Sequence, residues 1–348
     1  MDILSALTIG GHEQVTIARD PDAGYTGILA IHDTRLGPAL GGTRLWTYAS
    51  FDEALGDALR LSRGMTYKNA LAGLPFGGGK SVLLGPPPPD RAAFFRAHAR
   101  AVERLAGRYL TGEDVGTTPA DMAVMAEITR HVGGLEAGVG DPSPFTARGV
   151  LRAMEAAADH VWGPGGLGGR TVAIQGLGNV GRHLAAALAA RGVRLIVSDV
   201  DEARARAAVE THGAMAVAPD AIHQAPADIF APCALGGGLD DTTIPALLAL
   251  VVCGAANNQL AEPRHADALS DRGILYVPDF VANAGGVISG TVDLAGWDRA
   301  RMDTALDGIY DTVQHVLDRA TADGSSTAAA AERLAEARIA AGPPPRPR

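Results

Sequence analysis

Apolar residues follow two different rhythms along this chain. In the second half, five short apolar runs are separated by segments of helical spacing: "TVAIQ" at 171–175, "VRLIVSD" at 193–199, "DIFAPCA" at 228–234, "LVVCGAA" at 250–256 and "ILYVPDF" at 274–280. Continuous runs of this length suit strands covered on both faces, so the alternation predicts a parallel sheet with helices on each side. The first half is less regular. "EQVTIARDPDAGYTGILAIHD" sets two β-rich runs around a Pro-Asp-Ala-Gly turn, which predicts a hairpin. In "SFDEALGDALRLSRGM", Leu55, Leu59 and Ser62 keep helical spacing, and Ser50 with Glu53 forms a capping box. "KSVLL" at 80–84 predicts a short strand. Asp90 caps a helix over "RAAFFRAHARAVERLAG", and Thr118 followed by Pro119 starts another. The alanine-rich "STAAAAERLAEARIAAG" predicts a last helix, with "PPPRPR" as a frayed tail.

The chain has 348 residues, enough for two α/β domains with separate cores. A net charge of -9 without a basic stripe argues against nucleic acid as a partner. No apolar run reaches the roughly 18 residues of a membrane span. The start "MDILSALTIGGHEQ" carries an early acid and lacks the apolar core of a signal peptide, so a cytoplasmic protein is expected. Cys233 and Cys253 are too few for a disulfide framework or a zinc site and fit apolar packing in a reducing compartment.

One count changes the picture. There are 28 arginines and only two lysines, Lys68 and Lys80, twelve residues apart in a glycine-rich region. A lysine can lose its proton when desolvated, whereas an arginine stays charged, so chemistry that needs a neutral amine is one reading and chance is the other. The stretch "AGLPFGGGKSVLL" around Lys80 resembles a phosphate-binding P-loop and fails as one. Leu74 stands where the first glycine belongs, and a strand and four prolines follow where a helix is required. Its glycines instead predict close backbone approach, with Lys80 left at the edge of a cleft.

The dinucleotide fingerprint lies elsewhere. Gly176, Gly178 and Gly181 give G-x-G-x-x-G after an apolar strand and before an amphipathic helix, with Asn179 and Val180 between the last two glycines. Asp199 ends the next strand, 18 residues after Gly181. It predicts a ribose contact and a preference for NAD over NADP, because a carboxylate repels a 2′-phosphate; Arg204 and Arg206 nearby moderate that preference. "TGEDVGTT" adds Glu113 and Asp114. From the residues alone, Asp114 is either a partner that orients a catalytic lysine or an acid placed before a helix.

Six motifs in order, "GPALGGTRLW", "MTYKNALAGLPFGGGKSVL", "TGEDVGTTPADM", "DIFAPCALGG", "CGAANNQLAEPRHADAL" and "ILYVPDFVANAGGVI", resemble the leucine, phenylalanine and valine dehydrogenase branch of the glutamate dehydrogenase superfamily. The resemblance implies NAD-dependent, reversible oxidative deamination of an L-amino acid to a 2-oxo acid and ammonium, in a homo-oligomer. It implies a catalytic and oligomerisation domain over 1–140, joined by the C-terminal helix at about 325–348, a Rossmann NAD domain over 141–324, and an active-site cleft between the two. It also implies roles. Lys68 holds the substrate carboxylate, Lys80 is the general base that activates water, and Asp114 shuttles protons and holds the amino group. Gly42 and the Asn257–Asn258 pair contact substrate and cofactor, and Asn283 lies on the nicotinamide side. The side-chain pocket falls to Leu40, Gly112, Val287 and Gly290, which are apolar or lack a side chain, so an apolar substrate is implied. Gly112 and Gly290 replace larger residues of branched-chain members, which favours large substrates such as Phe or Trp narrowly over Leu and Val. A non-catalytic NAD sensor on the same fold is the alternative, and Lys68, Lys80 and Asp114 argue against it. A 2-hydroxy-acid dehydrogenase would want a histidine–carboxylate pair, which the glycine-rich motifs lack.

Overall fold

A computed structural model describes residues 3–135 and 140–343 and divides into two compact units. The first comprises Met1–Asp141, Gly290–Arg299 and Ala335–Arg348; the second comprises Pro142–Ser289 and Ala300–Leu334. The sequence reading placed one switch near 140 and a return to the first domain at the C-terminal helix, from about 325. The structure adds the excursion at 290–299, which groups with the first unit, and the last helix, Thr327–Ala341, contributes to both units. The frayed tail expected at 343–348 falls, from 344 on, outside the described residues.

The first unit is built on a six-stranded mixed sheet: β1 (Gln14–Asp20), β2 (Tyr25–Asp33), β3 (Ala39–Leu40), β4 (Thr43–Trp46), β5 (Gly77–Leu84) and β6 (Tyr109–Leu110). The order is β1-β2-β5-β3-β6, with β4 also pairing β5. The hairpin forms as its pattern predicts, β1 against β2 antiparallel from Gln14↔Ile31 to Asp20↔Tyr25, and Gly24 closes the turn at φ +60°. Helix α1 spans Ile3–Gly10, α2 Phe51–Leu71, α3 Arg91–Glu103 and α4 Pro119–Ala126. Helix α2 runs beyond the segment its periodicity marks and carries Lys68 in its last turn. Ser50 caps it by accepting from the Glu53 amide, but the Glu53 side chain takes the Ala49 amide instead of closing the expected box. The reciprocal box occurs at α4, between Thr118 and Asp121.

The strand expected from Lys80 onward begins three residues earlier, so the glycine run is itself part of β5. The close approach its glycines predict is to the protein's own chain. A Cβ on Gly77 would lie 1.8 Å from the Asp33 carbonyl oxygen, and one on Gly78 would lie 2.1 Å from the Thr66 amide nitrogen on α2. Phe94 and Phe95 of α3, Leu29 and Ile31 of β2, Tyr109 and Met122 fill the core on one side of this sheet, while Leu55 of α2 packs with Ile28 and Val82 in a second cluster.

The second unit has six parallel strands: β7 (Thr171–Gln175), β8 (Arg194–Ser198), β9 (Met215–Ala216), β10 (Ile229–Pro232), β11 (Val251–Val252) and β12 (Leu275–Tyr276). Their order, β12-β11-β10-β7-β8-β9, is that of a Rossmann sheet, with the strand order reversing between β7 and β10. Helices α5 (Ser143–Trp162), α6 (Asn179–Ala189) and α7 (Glu202–His212) precede β7, β8 and β9 respectively. The five apolar runs all contain strands; β9, two exposed residues, has no apolar run to announce it. Among the described residues, no helix is long and apolar enough to cross a membrane.

Candidate active site

Lys80 sits in the middle of β5, paired across the sheet with Ala30 of β2, and its side chain is only 5% exposed. The carboxylate that meets it comes from the loop after β6. A hydrogen-bonded turn fixes that loop: the Asp114 amide donates to the Thr117 hydroxyl, which contacts the Asp114 and Thr43 carbonyls. Gly42 allows the loop to come close, since a Cβ there would lie 2.8 Å from the Glu113 carbonyl oxygen and 2.9 Å from the Asp114 Cβ. Lys80 Nζ lies 2.9 Å from Asp114 Oδ2.

A second cation meets the same oxygen. Arg44 of β4 donates from Nε to Asp114 Oδ2 at 2.9 Å, and its Nη1 lies 3.0 Å from Asp57 Oδ2 on α2. Tyr48 donates to Asp57 Oδ2 at 2.7 Å, and Arg60 reaches Asp57 Oδ1 at 2.5 Å. Burial pushes the Lys80 amine below the usual lysine range; Asp114 opposes this and Arg44 reinforces it. Burial acting alone would raise the Asp114 carboxyl, but Lys80 and Arg44 together carry it below its ordinary value, so it stays ionised near neutral pH.

Behind this pair a buried polar chain fixes the backbone. Ser81, next to Lys80, contacts the Tyr109 hydroxyl at 2.8 Å and Thr43 Oγ1 at 3.1 Å. Tyr109 donates to the Gly41 carbonyl at 2.7 Å, and Thr43 also meets His98 Nε2 at 3.0 Å. Burial drives His98 down to about 3 and Tyr109 up to about 12, so both are neutral near pH 7 and act as hydrogen-bonding spacers. Asn69, which follows Lys68, donates to the Gly77 carbonyl at 2.6 Å and so ties the lysine-bearing end of α2 to β5.

The remaining expected residues divide between the units. Leu40, Gly42, Lys68, Gly112 and Gly290 belong to the first unit, with Lys80 and Asp114; Val287 and Asn258 belong to the second. Lys68 is half-buried and Leu40 is buried in β3. A Cβ on Gly112 would meet only the Gly133 carbonyl group, at 3.5 Å or beyond, which is ordinary contact. Arg44, Asp57, Tyr109 and His98 were not singled out by the sequence; the one available signal is that Arg44 sits two residues after Gly42 in the "GGTR" motif.

In the second unit the glycine loop links β7 to α6. Gly176 has φ +94°, and a Cβ on Gly181 would lie 2.0 Å from the Gly176 carbonyl oxygen, so the helix packs tightly on the turn. Gly178 is the N-cap of α6, and a Cβ there would meet open space. Asn179 and Val180 open the first turn, whose amides lack intrahelical partners and suit an anion. Asp199, 6% exposed at the end of β8, accepts from the Leu177 amide at 2.6 Å and the Asp201 amide at 2.8 Å; Arg204 lies 3.9 Å away. Each oxygen keeps a lone pair for a further donor. Asn283 donates to Asn257 Oδ1 at 2.9 Å while its own Oδ1 is buried and finds no hydrogen-bond partner among the described residues. Asn258, after β11, holds φ +51°. The glycine loop and the segments after β10 and β11 lie at the carboxyl ends of their strands, by the point where the strand order reverses. Open backbone amides, a ribose-side carboxylate and an orphaned amide oxygen fit a nicotinamide dinucleotide.

A Rossmann unit and a separate α/β unit holding a buried lysine–carboxylate pair define an oxidoreductase of the amino-acid dehydrogenase class. Two family models match the chain: "Glu/Leu/Phe/Val dehydrogenase, dimerisation domain" over residues 12–131 and "Glutamate/Leucine/Phenylalanine/Valine dehydrogenase" over 197–342. The chain belongs to the Glu/Leu/Phe/Val dehydrogenase family, whose members are NAD(P)-dependent. It is similar to a leucine dehydrogenase of Geobacillus stearothermophilus, 50% identical over 97% of this chain and 94% of that protein. It is similar to a valine dehydrogenase of Streptomyces coelicolor, 49% identical over 95% and 93%. The crystal structure of L-tryptophan dehydrogenase from Nostoc punctiforme superposes with a TM-score of 0.86 at 42% identity, covering 97% of this chain and 99% of that one. The family inferred from the six motifs, and its α/β fold, are confirmed.

Proposed function

We propose that this chain catalyses the NAD-dependent, reversible oxidative deamination of a hydrophobic L-amino acid to its 2-oxo acid and ammonium. The observation that carries the reading is Lys80: a lysine 5% exposed, 2.9 Å from an ionised carboxylate and with a second cation on that same carboxylate. Such an amine gives up its proton more readily than a surface lysine, which suits it to act as a base. Lys68 and the Gly42 backbone hold the substrate carboxylate, and Asp114 receives the amino group. NAD, when bound, would supply the acceptor for the Cα hydride, whose loss converts the neutral amine of the substrate to an iminium. Neutral Lys80 then takes a proton from water as the oxygen attacks that carbon. Lys80, by way of Asp114, returns that proton to the carbinolamine nitrogen; the C–N bond then breaks as the C=O bond forms, ammonia leaves, and the hydroxyl proton passes to Lys80.

Gly176, Gly178, Asn179, Val180 and Gly181 cradle the pyrophosphate, and Asp199 takes the ribose hydroxyls and disfavours a 2′-phosphate. Asn257, Asn258 and Asn283 serve the nicotinamide and substrate side. The residues taken to select the substrate side chain are Leu40, Gly112 and Gly290 of the first unit and Val287 of the second. The missing side chains at Gly112 and Gly290 support a large apolar substrate, with Phe or Trp narrowly preferred and Leu and Val as close rivals; relatives named for leucine, valine and tryptophan span the same range. The dimerisation-domain match supports a homo-oligomer, and the two free cysteines suit the cytoplasm. A panel of L-amino acids with NAD or NADP, read by nicotinamide absorbance and ammonium release, tests the reading. Turnover of hydrophobic amino acids with NAD is expected; no turnover of any of them would refute it.

A further inference from the structure

Arg44 is one of 28 arginines, and it differs from most of them in being only 16% exposed and joined to two carboxylates that are themselves mostly covered, Asp57 at 13% and Asp114 at 18%. Its planar fork spans them: Nη1 takes Asp57 Oδ2 and Nε takes Asp114 Oδ2. Asp57 is pinned in turn by Tyr48 and Arg60. Both cations at Asp114 converge on Oδ2, and Oδ1 accepts no hydrogen bond among the described residues.

We propose that Arg44 is the positioning residue of the catalytic pair: braced by Asp57, it occupies Asp114 Oδ2 together with Lys80 and leaves Oδ1 to receive the substrate amine. The inference rests on the reading of Lys80 as the base. It also explains a design problem in that reading. A lysine paired with a carboxylate is stabilised in its charged form, the wrong form for a base. A permanent cation on the same oxygen offsets that effect without competing for the proton, and arginine holds its charge throughout the working range.

The charged groups that act on Lys80 are Asp114 from the loop after β6, Arg44 from β4 and Asp57 from α2. Lys68 lies in the last turn of α2. Tyr109 and His98, connected through Ser81 and Thr43, are neutral and contribute no charge.

The test compares Arg44→Gln with Arg44→Lys, measuring kcat, KM and the pH dependence of kcat for deamination. Removing the cation favours protonated Lys80, so the acid limb of the Arg44→Gln profile moves to higher pH. Arg44→Lys keeps the charge but cannot span both carboxylates, so its acid limb stays near the wild-type position. Both variants lose kcat through misplacement of Asp114, on the order of 10²-fold, with KM for the amino acid changing far less. If Arg44→Gln does not fold, Asp57→Asn, which weakens the brace and removes one anion acting on Lys80, replaces it and should lower kcat; full kcat in that variant overturns the proposal. An unmoved acid limb in folded Arg44→Gln overturns it whatever the kcat. Lys80→Ala separates the two levels. If that variant turns over normally, the base assignment fails and this inference with it; if it is inactive while the Arg44→Gln limb is unmoved, this inference alone falls.

Discussion

The two units build their sites by opposite means. In the second, the chemistry belongs to backbone: a glycine turn, the first amides of α6 and one carboxylate at a strand end, within 24 residues from Gly176 to Asp199. In the first, it belongs to side chains from four elements, Arg44 on β4, Asp57 on α2, Lys80 on β5 and Asp114 in a loop, brought together only by the fold. A backbone site tolerates side-chain replacement wherever a Cβ fits and fails where it does not. A site of buried, converging charges fails when any partner is removed, because the others are left uncompensated in a poorly hydrated place.

Asp114→Asn should be the most damaging test of that contrast. It leaves Lys80 and Arg44 facing a neutral amide, so stability should fall by roughly 3–5 kcal/mol and turnover by about 10²–10⁴-fold. Its residual activity also carries a sign. Loss of a nearby anion lowers the Lys80 pKa further, so the acid limb should move to lower pH, opposite to Arg44→Gln. Thermal unfolding and a pH–kcat profile check both, and shifts in the same direction for the two variants would break the charge account. Next is Gly181→Ala. Its Cβ would fall 2.0 Å from the Gly176 carbonyl oxygen, and forcing space there costs typically about 1–3 kcal/mol. NAD titration should show weakened binding, and Gly178→Ala, whose Cβ would meet no protein atom, should keep its stability yet also weaken NAD, because the second glycine of the fingerprint lets the backbone approach the pyrophosphate; wild-type NAD affinity in Gly178→Ala would deny that the loop works by backbone approach. Asp199→Ser should move the ratio of kcat/KM for NAD over NADP toward NADP, with Arg204 already at hand, and an unchanged ratio would place the ribose elsewhere. The smallest effect is expected at Gly112. A methyl group fits there, so Gly112→Ala should fold normally and shift preference from Phe or Trp toward Leu or Val by about 1–3 kcal/mol.

The same contrast explains what the sequence could reveal. The glycine loop and Asp199 were legible as candidates because the role proposed for them depends on order and spacing along one βαβ stretch. Lys80 was legible for a compositional reason, as one of two lysines among 28 arginines. Asp114 stayed ambiguous on its residues alone, since a carboxylate before a helix has an ordinary use, and the resemblance chose its role. Arg44 and Asp57 were illegible: one more arginine, and one more acid on an amphipathic helix, become a brace only when β4, α2 and the Asp114 loop meet. The glycines before Lys80 announced close approach but not its object, which proves to be Asp33 and α2 of the same chain. The excursion at 290–299 left no mark either, because a short helix, Thr291–Ala295, has the same local pattern whichever core it joins.

The central claim, that buried Lys80 is the base of an amino-acid deamination, is tested most directly by Lys80→Ala. Turnover should be measured as coupled NADH and ammonium release at saturating amino acid and NAD, with NAD affinity titrated separately. The account predicts a loss of about 10²–10⁴-fold in kcat with NAD affinity near that of the wild type, and comparable inactivity in Lys80→Arg, whose guanidinium keeps its proton. Turnover within a few-fold of wild type in Lys80→Ala would contradict it.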